Sequence, residues 1–461
     1  MLLLFAISLL IRWPVFGTPP GGQDAWLSAH SLITFEMWEM EGIASHHFSS
    51  VLSYPVAANA FQDIPDLGLL TDESGRKYYI SYPPFGLLFP YFCHQMLFLS
   101  PSPDSLRMFG LLVQLGCAFL LWGIIRQWMQ QSIWALFGSG LYLLVPVSMW
   151  YHCNVYFSEI LVQLWALGLI WWWGKMDERD LRHQTLLGLI CFLGVYTEWW
   201  ALLLAGCAGL YALLRWRSHK GPFISLVMGS LLAIGLTLWQ YSSIAGWEAF
   251  RQAAIDRFVY RSGGEGMHFA PNALLLFYLR GMLPVLGLLG LSFVFLIGKR
   301  QLKRLKQVPL VIPLLLISAS MHHLLFQHFT LAHEFSVLKM LPGLILLLVF
   351  LGEKVLTEKK WLPVVLGLVL IAAAGWGGVR YHFYLPDHFP RSELCAEINR
   401  QIPAGDIFYL SHPPEPTHIY FLKRNPAYLT DGAAPEKGWY VQPDSVGEKI
   451  VSIQHYPLYA D

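Results

Sequence analysis

Eleven apolar stretches of about 15 to 25 residues constrain the fold of this chain more than any other feature of its sequence. A helix needs about 20 apolar residues to cross the hydrocarbon core of a bilayer. The stretches are residues 1–16, 105–125, 131–150, 156–174, 185–199, 200–215, 222–243, 273–297, 308–326, 335–352 and 361–379. The pattern predicts an all-α polytopic membrane protein with about 11 transmembrane helices.

The composition agrees with a membrane protein, since 55% of the residues are apolar and 13% are charged. A net charge of +1 gives no basis for nucleic-acid binding. The six cysteines show no CxxC spacing, so we expect neither a zinc site nor a disulfide framework. The first apolar stretch is short, which indicates a misassigned start codon. A cleaved signal peptide is the alternative, but the segment lacks a basic n-region and a small-residue cleavage site.

Basic residues occur on alternate short loops, and this predicts an orientation because such loops stay cytoplasmic. The loops carry Arg126; Lys175, Arg179 and Arg182; Arg215, Arg217 and Lys220; Lys299, Arg300, Lys303, Arg304 and Lys306; and Lys354, Lys359 and Lys360. The segments between them, 17–104, 151–155, 244–272, 327–334 and 381–461, are then on the outer side. Residues 83–100 could form a further span, but that would invert all later loops, so we expect a helix in the outer interface.

Two domains are predicted from this organisation. Residues 1–380 form a transmembrane catalytic domain with outer juxtamembrane helices in its loops 17–104 and 244–272, the first helix running from Asp24 to about Gly42. Residues 381–461 form a small extracytoplasmic α/β domain. Its patterns predict helices at 392–402 and 417–423, a strand at 407–410, and strands near Tyr440 and Ile450.

Polar residues on the predicted outer side form a candidate site, because ionisable groups near a bilayer are usually paired or functional. Asp24 begins the first outer helix, Tyr82 precedes two prolines in KYYISYPPFGLLF, and Glu159 is at the mouth of a span. The other candidates are Glu198, Arg251, Arg257, Arg261, His268, His328, His333, Glu334 and Lys339. A carboxylate just outside the membrane predicts chemistry between a lipid-linked substrate and a water-soluble partner.

Short motifs in these segments resemble the GT-C superfamily of membrane glycosyltransferases. They are Arg12 near the end of the first span, Asp24 opening an outer helix, and a tyrosine-proline-proline step at Tyr82 into an interfacial helix. The run IDRFVYRSGGEGMHFAPNALLLFYLRGMLP is similar to the Arg-Phe, His-x-x-Pro and Leu-Pro stretch of the branch with bacterial aminoarabinose transferases and protein mannosyltransferases. The resemblance covers most of the membrane part.

The resemblance implies roles for particular residues. Asp24 occupies the position of the catalytic carboxylate, which acts as general base on the acceptor while the anomeric carbon is attacked. Glu159 occupies the position of a second outer acidic residue beside the same cavity. Arg257 matches an arginine that binds the donor phosphate, and His268 is in the neighbouring His-x-x-Pro. The implied donor is a polyprenyl-phosphate sugar, and an arginine would stabilise the charge of the leaving phosphate.

Two departures from the family pattern weaken the assignment of a substrate. Asp24 is followed by Ala25, where many members have Glu. Aminoarabinose transferases carry Lys before the proline of the interfacial step, where this chain has Pro83. We therefore predict that Lys77, Arg261 or Lys339 substitutes for that lysine, with Tyr82 beside the donor phosphate.

Structural explanations compete with these roles. Asp24 could only cap its helix, and Glu159 could only pair with a nearby His or Arg. Arg257 could extend from an interfacial helix towards water. Glu198 precedes two tryptophans, which is typical of the aromatic belt at the outer interface.

A metal site is the alternative interpretation of His328, His333 and Glu334. Two histidines five residues apart do not share a helical face well, so we expect metal-independent chemistry without a cofactor and leave a divalent metal open.

The predicted function is transfer of a sugar from a polyprenyl-phosphate donor to an envelope lipid, glycan or protein, in a bacterial inner membrane. One alternative is a transporter or flippase for lipid-linked sugars, which should show midplane ionisable groups and repeats. The other is an inactive GT-C scaffold. The polar groups gather on one side of the membrane and no repeat is visible, which favours the enzyme.

Overall fold

The computed structural model describes the chain except for residues 20, 22–24, 56–68, 130, 178–179, 264–270, 299–301, 357–360, 385–389, 404–405, 412–415, 429–437, 444–449 and 457–461. Asp24 and His268, two of the predicted site residues, lie outside the described residues.

Helices make up most of the described chain. In chain order they are α1 (Leu2–Arg12), α2 (Ala25–Glu41), α3 (Phe85–Met96), α4 (Pro103–Trp128), α5 (Ser132–Leu144), α6 (Pro146–Tyr151), α7 (Ser158–Trp173), α8 (Leu181–Val195), α9 (Trp199–Leu214), α10 (Trp216–Ala245), α11 (Trp247–Ser262), α12 (Pro271–Gly298), α13 (Val311–Leu325), α14 (Gln327–Ala332), α15 (Leu341–Leu356), α16 (Leu362–Tyr384), α17 (Pro390–Gln401) and α18 (Pro416–Leu422). A 3₁₀ helix, Glu334–Met340, leads directly into α15.

Every predicted span contains a helix. Within the described ranges, five helical segments are long and apolar enough to cross a membrane: Pro103–Trp128, Trp216–Ala245, Pro271–Gly298, Glu334–Lys354 and Leu362–His382. The helices in the other predicted spans are shorter. The architecture is that of a multi-pass membrane protein, and the count of about 11 crossings stays a prediction.

Local sequence sets the ends and bends of these helices. Ser102 and Ser105 form a capping box at the start of α4, with Pro103 at its first position. Proline removes a helical hydrogen bond and crowds the preceding turn. Accordingly α10 has a non-helical residue at His219, shortly before Pro222, and α12 has one at Met282, shortly before Pro284.

The membrane part has a continuous apolar core. Helix α4 packs against α5 and α7, α10 packs against α8 and α9, and α15 packs against α12, α13 and α5. Arg12 is completely buried in this core, where its guanidinium donates to the carbonyl oxygens of Ser8 at 3.0 Å and Met149 at 3.2 Å. It therefore ties α1 to the end of α6.

A second unit, here called the hairpin lobe, consists of α2, α11 and the strands β1 (Leu69–Thr71) and β2 (Lys77–Tyr79). The strands pair antiparallel, with Leu69 opposite Tyr79. Asp72 holds the turn by accepting hydrogen bonds from the backbone of Ser74 and Arg76, both at 2.9 Å. Ile33 and Val51 lie in a separate apolar core within this lobe.

Helix α3 fulfils the prediction of a helix after Pro83. Its 12 residues give a length of about 18 Å, well short of a hydrocarbon core of about 30 Å. Its last residue, Met96, and the two residues after it, Leu97 and Phe98, are largely exposed, Phe98 by 97%. This length and exposure favour a position in the interface over a span.

The C-terminal part contains the predicted helices and strands. Strands β3 (Phe408–Leu410), β4 (Ala427–Tyr428), β5 (Gly438–Pro443) and β6 (Ile450–Tyr456) form a sheet of order β4-β3-β5-β6. Strand β3 is parallel to β4 and β5, and β6 is antiparallel to β5. Helices α17 and α18 pack together beside this sheet, whose apolar residues join theirs in one core. The predicted domain boundary after residue 380 stays a prediction.

The C-terminal part docks on the hairpin lobe. Helix α18 packs against α2. The amide of Tyr54 donates to Asn425 Oδ1 at 3.0 Å, and Asn425 Nδ2 donates to the Tyr54 carbonyl at 2.9 Å. Lys423 forms an ion pair with Glu36 of α2 at 2.6 Å. These contacts join the C-terminal part to α2 and to the segment that follows it.

Candidate functional site

Helix α11 carries two arginines of the site. Gly246, with φ 83°, lies between α10 and α11, and this backbone conformation favours glycine. Arg257 and Arg261 are four residues apart and so share one face of α11. Their exposed fractions are 8% and 4%, and the described structure therefore contradicts the interpretation that Arg257 extends towards water.

The segment that joins β2 to α3 holds both guanidinium groups. Arg257 donates to Tyr79 Oη at 2.8 Å and to Ser81 Oγ. Arg261 donates to the carbonyl oxygen of Ser81 at 3.1 Å, and its guanidinium lies 4.4 Å from the centre of the Tyr82 ring. The two cations are thus positioned by residues of the KYYISYPPF run.

A cavity of about 200 Å³ opens beside these groups. Its polar lining includes Ser81, Arg257 and Arg261, and its apolar lining includes Leu238 of α10 and Phe258 of α11. Within the described part of the chain, Arg257 Nη1 and Arg261 Nε and Nη2 are buried and have no hydrogen-bond partner. A site of this kind suits a ligand with an anionic group and an apolar body.

The two tyrosines beside the arginines have pKa values that are shifted in opposite directions. Burial alone would raise the pKa of Tyr79, but the charges of Arg257 and Arg261 lower it below the usual value. Burial raises the pKa of Tyr82 well above its usual value, so its hydroxyl remains protonated and can donate a hydrogen bond.

A network of buried charged groups lies next to Tyr82. The Tyr82 hydroxyl donates to Glu159 Oε1 at 3.3 Å, and the other carboxylate oxygen of Glu159 is paired with the ammonium of Lys339. Lys339 Nζ is also 3.9 Å from Glu198 Oε1, which is 3.3 Å from His322 Nε2. The side chains of Glu159, Lys339, Glu198 and His322, here called the ion network, are each 1% exposed or less.

Four separate elements supply the ion network. Glu159 is in the first turn of α7, and Glu198 caps α9 by accepting a hydrogen bond from the Trp200 amide at 2.7 Å. Lys339 is on the 3₁₀ helix before α15, and His322 is near the end of α13. Gly86 lets α3 approach α7, because a Cβ there would overlap Ser158 Oγ.

Helix α2 starts beside the same groups. The Trp26 ring lies 6.5 Å from the Tyr79 ring and 5.9 Å from the His333 ring. His333 stacks on Phe335 at 4.8 Å, and Glu334 is buried. The first turn of α2 therefore lies beside Tyr79, the tyrosine to which Arg257 donates a hydrogen bond.

Several predictions need correction or remain open. Glu198 and Trp200 are completely buried, so the interpretation of an aromatic belt at Glu198 is wrong. Lys77 Nζ donates to Thr71 Oγ1 at 2.7 Å inside the hairpin, away from the cavity lining. Among the residues that the structure describes, no three His, Cys, Asp or Glu side chains form a metal-binding group. The roles of the predicted site residues stay predictions.

Three residues of the site were missed from the sequence. Tyr79 and Ser81 directly precede the tyrosine-proline-proline step, and their polar side chains next to it were the only signal. His322 is one of two adjacent histidines in the apolar run 308–326, and an ionisable residue in such a run indicates a buried polar contact.

The fold described above is similar to that of solved membrane glycosyltransferases of the GT-C superfamily. No protein-family model and no curated protein sequence matches the chain. The structure of ArnT, an aminoarabinose transferase, from Cupriavidus metallidurans bound to undecaprenyl phosphate is similar, with a TM-score of 0.65 and 13% identity, over 96% of this chain and 93% of ArnT.

An archaeal protein has the same fold. The oligosaccharyltransferase AglB from Archaeoglobus fulgidus, in complex with an inhibitory peptide and a dolichol-phosphate, matches with a TM-score of 0.54 and 11% identity. The match covers 93% of this chain and 64% of AglB. At these identities the similarity establishes the fold, and the sequence-based resemblance to the GT-C superfamily is confirmed.

Proposed function

We propose that this protein is a glycosyltransferase that moves a sugar from a polyprenyl-phosphate donor to an acceptor. The acceptor is a lipid, glycan or protein of the bacterial envelope. The reaction takes place on the extracytoplasmic face of the inner membrane, at the end of about 11 transmembrane helices, with the C-terminal part on the same side. The alternation of basic loops and the short interfacial helix α3 support this topology.

One observation carries the proposal. Arg257 and Arg261 line a cavity with apolar walls, and within the described residues three of their buried nitrogen atoms have no hydrogen-bond partner. Guanidinium groups bind phosphate through two parallel hydrogen bonds, and apolar walls accept a prenyl chain. The comparison proteins support the same ligand class, because ArnT was solved with undecaprenyl phosphate and AglB with a dolichol-phosphate.

The chemistry follows from this binding mode. Asp24 takes the proton of the acceptor hydroxyl or amine while the acceptor attacks the anomeric carbon. The bond from that carbon to the phosphate oxygen breaks, and the departing phosphate gains negative charge that Arg257 and Arg261 stabilise. His268 assists at the phosphate. Glu159, through Tyr82, is the second acidic group beside the reacting atoms.

Lys339 compensates for the missing lysine at Pro83. Lys339, on the 3₁₀ helix, supplies a cation close to Tyr82, the residue before Pro83. Its ammonium is paired with Glu159 in this structure. The reaction as proposed uses no cofactor, and the sugar can be a hexose or a pentose.

Sugar transfer in vesicles tests the proposal. Radiolabelled polyprenyl-phosphate sugars are supplied to the wild type, Asp24→Asn and Arg261→Gln, together with envelope acceptors. We expect transfer by the wild type, loss of transfer with retained donor binding in Asp24→Asn, and loss of donor binding in Arg261→Gln. Arg251→Gln is the matched control, because Arg251 is on the same helix but half exposed. Movement of lipid-linked sugar across the bilayer without transfer, and independent of Asp24, would indicate a transporter instead.

A further inference from the structure

Lys339 is shared by two carboxylates. Its ammonium is in direct contact with Glu159 and 3.9 Å from Glu198, and all three side chains are buried. A buried ion pair is stable only when the geometry of both partners is well defined. The position of Glu198 therefore determines how much of the lysine charge is available to Glu159.

The two oxygen atoms of Glu198 have different surroundings, and within the described residues only Oε2 accepts a hydrogen bond. Oε2 accepts the hydrogen bond of the Trp200 amide that caps α9, and Oε1 faces His322 Nε2 at 3.3 Å. The His322 ring is held in turn by Phe326, 4.9 Å away, and Phe329, 5.9 Å away. Oε1 therefore lies between His322 and Lys339 without a hydrogen bond among the described residues.

The charge state of Glu159 depends on every group that faces it. The 3₁₀ helix contributes Lys339 and α9 contributes Glu198. Arg261 of α11 adds positive charge, and the hydroxyls of Tyr82 and Tyr156 are close by. A second carboxylate beside Lys339 competes with Glu159 for the same ammonium, because both lie within ion-pair distance of Nζ.

We propose that Glu198 is a positioning residue that divides the charge of Lys339 between two carboxylates and so keeps Glu159 able to exchange a proton during transfer. This inference rests on the proposed function, since it requires that Glu159 acts beside the reacting atoms. His322 lies 3.3 Å from Glu198 Oε1 and so weakens the interaction of that oxygen with Lys339.

Two substitutions give opposite expectations. Glu198→Gln keeps an oxygen that can cap α9 and removes the negative charge. Glu159 is then the only one of the two carboxylates that pairs with Lys339. The acid limb of the plot of kcat against pH is then expected to move to lower pH by about 1 unit. His322→Phe retains a ring beside Phe326 but removes the polar group next to Glu198 Oε1. Glu198 then interacts more strongly with Lys339, less of the lysine charge is available to Glu159, and the acid limb is expected to move to higher pH. The donor KM is expected to stay unchanged in both.

Sugar transfer is measured across pH 5 to 9 in vesicles, with Glu248→Gln as a control on the exposed face of α11. Shifts of the acid limb in opposite directions support the proposal, because a purely structural role would lower kcat without moving the limb. An unchanged limb in Glu198→Gln overturns it. If that variant does not fold, an unchanged limb in His322→Phe overturns it equally. A wild type that transfers no sugar would reject the proposed function itself.

Discussion

The hydroxyl of Tyr82 donates a hydrogen bond to Glu159 Oε1 at 3.3 Å, while the ring of the same tyrosine lies beneath the guanidinium of Arg261. This one side chain joins the arginine-lined cavity to the ion network. Tyr82→Phe removes the hydrogen bond and keeps the ring. We expect kcat to fall about 10-fold, since a hydrogen bond to a charged group contributes about 1.5–3 kcal/mol, with donor binding retained.

Tyr82→Leu is the matched variant, because it removes the ring as well and should also weaken donor binding. Transfer rates and undecaprenyl-phosphate binding in detergent separate the two effects. Equal losses of binding in both variants would contradict a separate role for the hydroxyl.

Arg257→Lys tests whether the shape of the guanidinium matters in addition to its charge. Lysine cannot keep both the Tyr79 and the Ser81 contacts, and it offers no forked pair of donors to a phosphate. We expect the affinity for undecaprenyl phosphate to fall about 10- to 100-fold. Arg251→Lys should bind like the wild type, and a wild-type affinity in Arg257→Lys would remove this residue from the phosphate site.

Gly86→Val should disturb the approach of α3 to α7. A Cβ at this position would lie 3.0 Å from Ser158 Cα and overlap Ser158 Oγ, next to Glu159. Overpacking of this kind typically costs about 1–3 kcal/mol, so we expect a lower Tm and a loss of transfer. Gly206→Ala is the control, because a Cβ there meets nothing within 4 Å. The same Tm for Gly86→Val and the wild type would show that the contact is not tight.

Asn425→Ala should loosen the C-terminal part from the hairpin lobe. Both hydrogen bonds to the backbone of Tyr54 are lost, and the unpaired groups cost about 1–3 kcal/mol locally. We expect faster proteolysis of the C-terminal part in detergent micelles at constant membrane insertion. Arg400→Gln changes an exposed side chain of α17 and should leave the cleavage rate unchanged. Equal rates in the two variants would argue against docking through Asn425.

Acid should destabilise the hairpin lobe through His30. Burial lowers the pKa of His30 to about 3, so the folded chain keeps this ring neutral where the unfolded chain takes up a proton. Above about pH 6.5 His30 therefore does not reduce the free energy of unfolding. Below that pH the free energy of unfolding decreases by up to about 1.4 kcal/mol per pH unit. His30→Gln can still reach Ser50.

The decrease of Tm between pH 7.5 and pH 5 should be smaller in His30→Gln than in the wild type. Equal slopes would mean that His30 does not contribute to acid sensitivity. The measurement compares slopes, so a uniform loss of stability in the variant does not affect it.

Apolar run length was sufficient to predict the helices, because a bilayer imposes length and hydrophobicity directly on the sequence. The helices and strands of the C-terminal part also followed from periodicity. The bends are also marked in the sequence, because α10 and α12 leave helical geometry at His219 and Met282, shortly before Pro222 and Pro284.

The sequence indicated residues that the structure brings close together, but it did not indicate which of them pair. Arg257, Tyr82, Glu159 and Lys339 were selected from the family resemblance and from their polarity on the predicted outer side, and their roles stay predictions. The contact of Lys339 with Glu159 joins residues 180 apart in sequence, and only the packing of α7 against the 3₁₀ helix brings them together. Glu198 was misinterpreted for the same reason, since its neighbouring tryptophans resemble an interfacial belt when read without their tertiary partners.

The hydrogen bonds between Tyr54 and Asn425 link positions 371 residues apart. The ribosome makes α2 and residue 54 near the beginning of synthesis, and their partner emerges only after all the predicted spans have been made. A nascent chain that stalls before Asn425 holds every membrane helix but leaves the hairpin lobe unsupported on one side. The hairpin lobe therefore acquires its contact with Asn425 only after the membrane helices that precede it have been made.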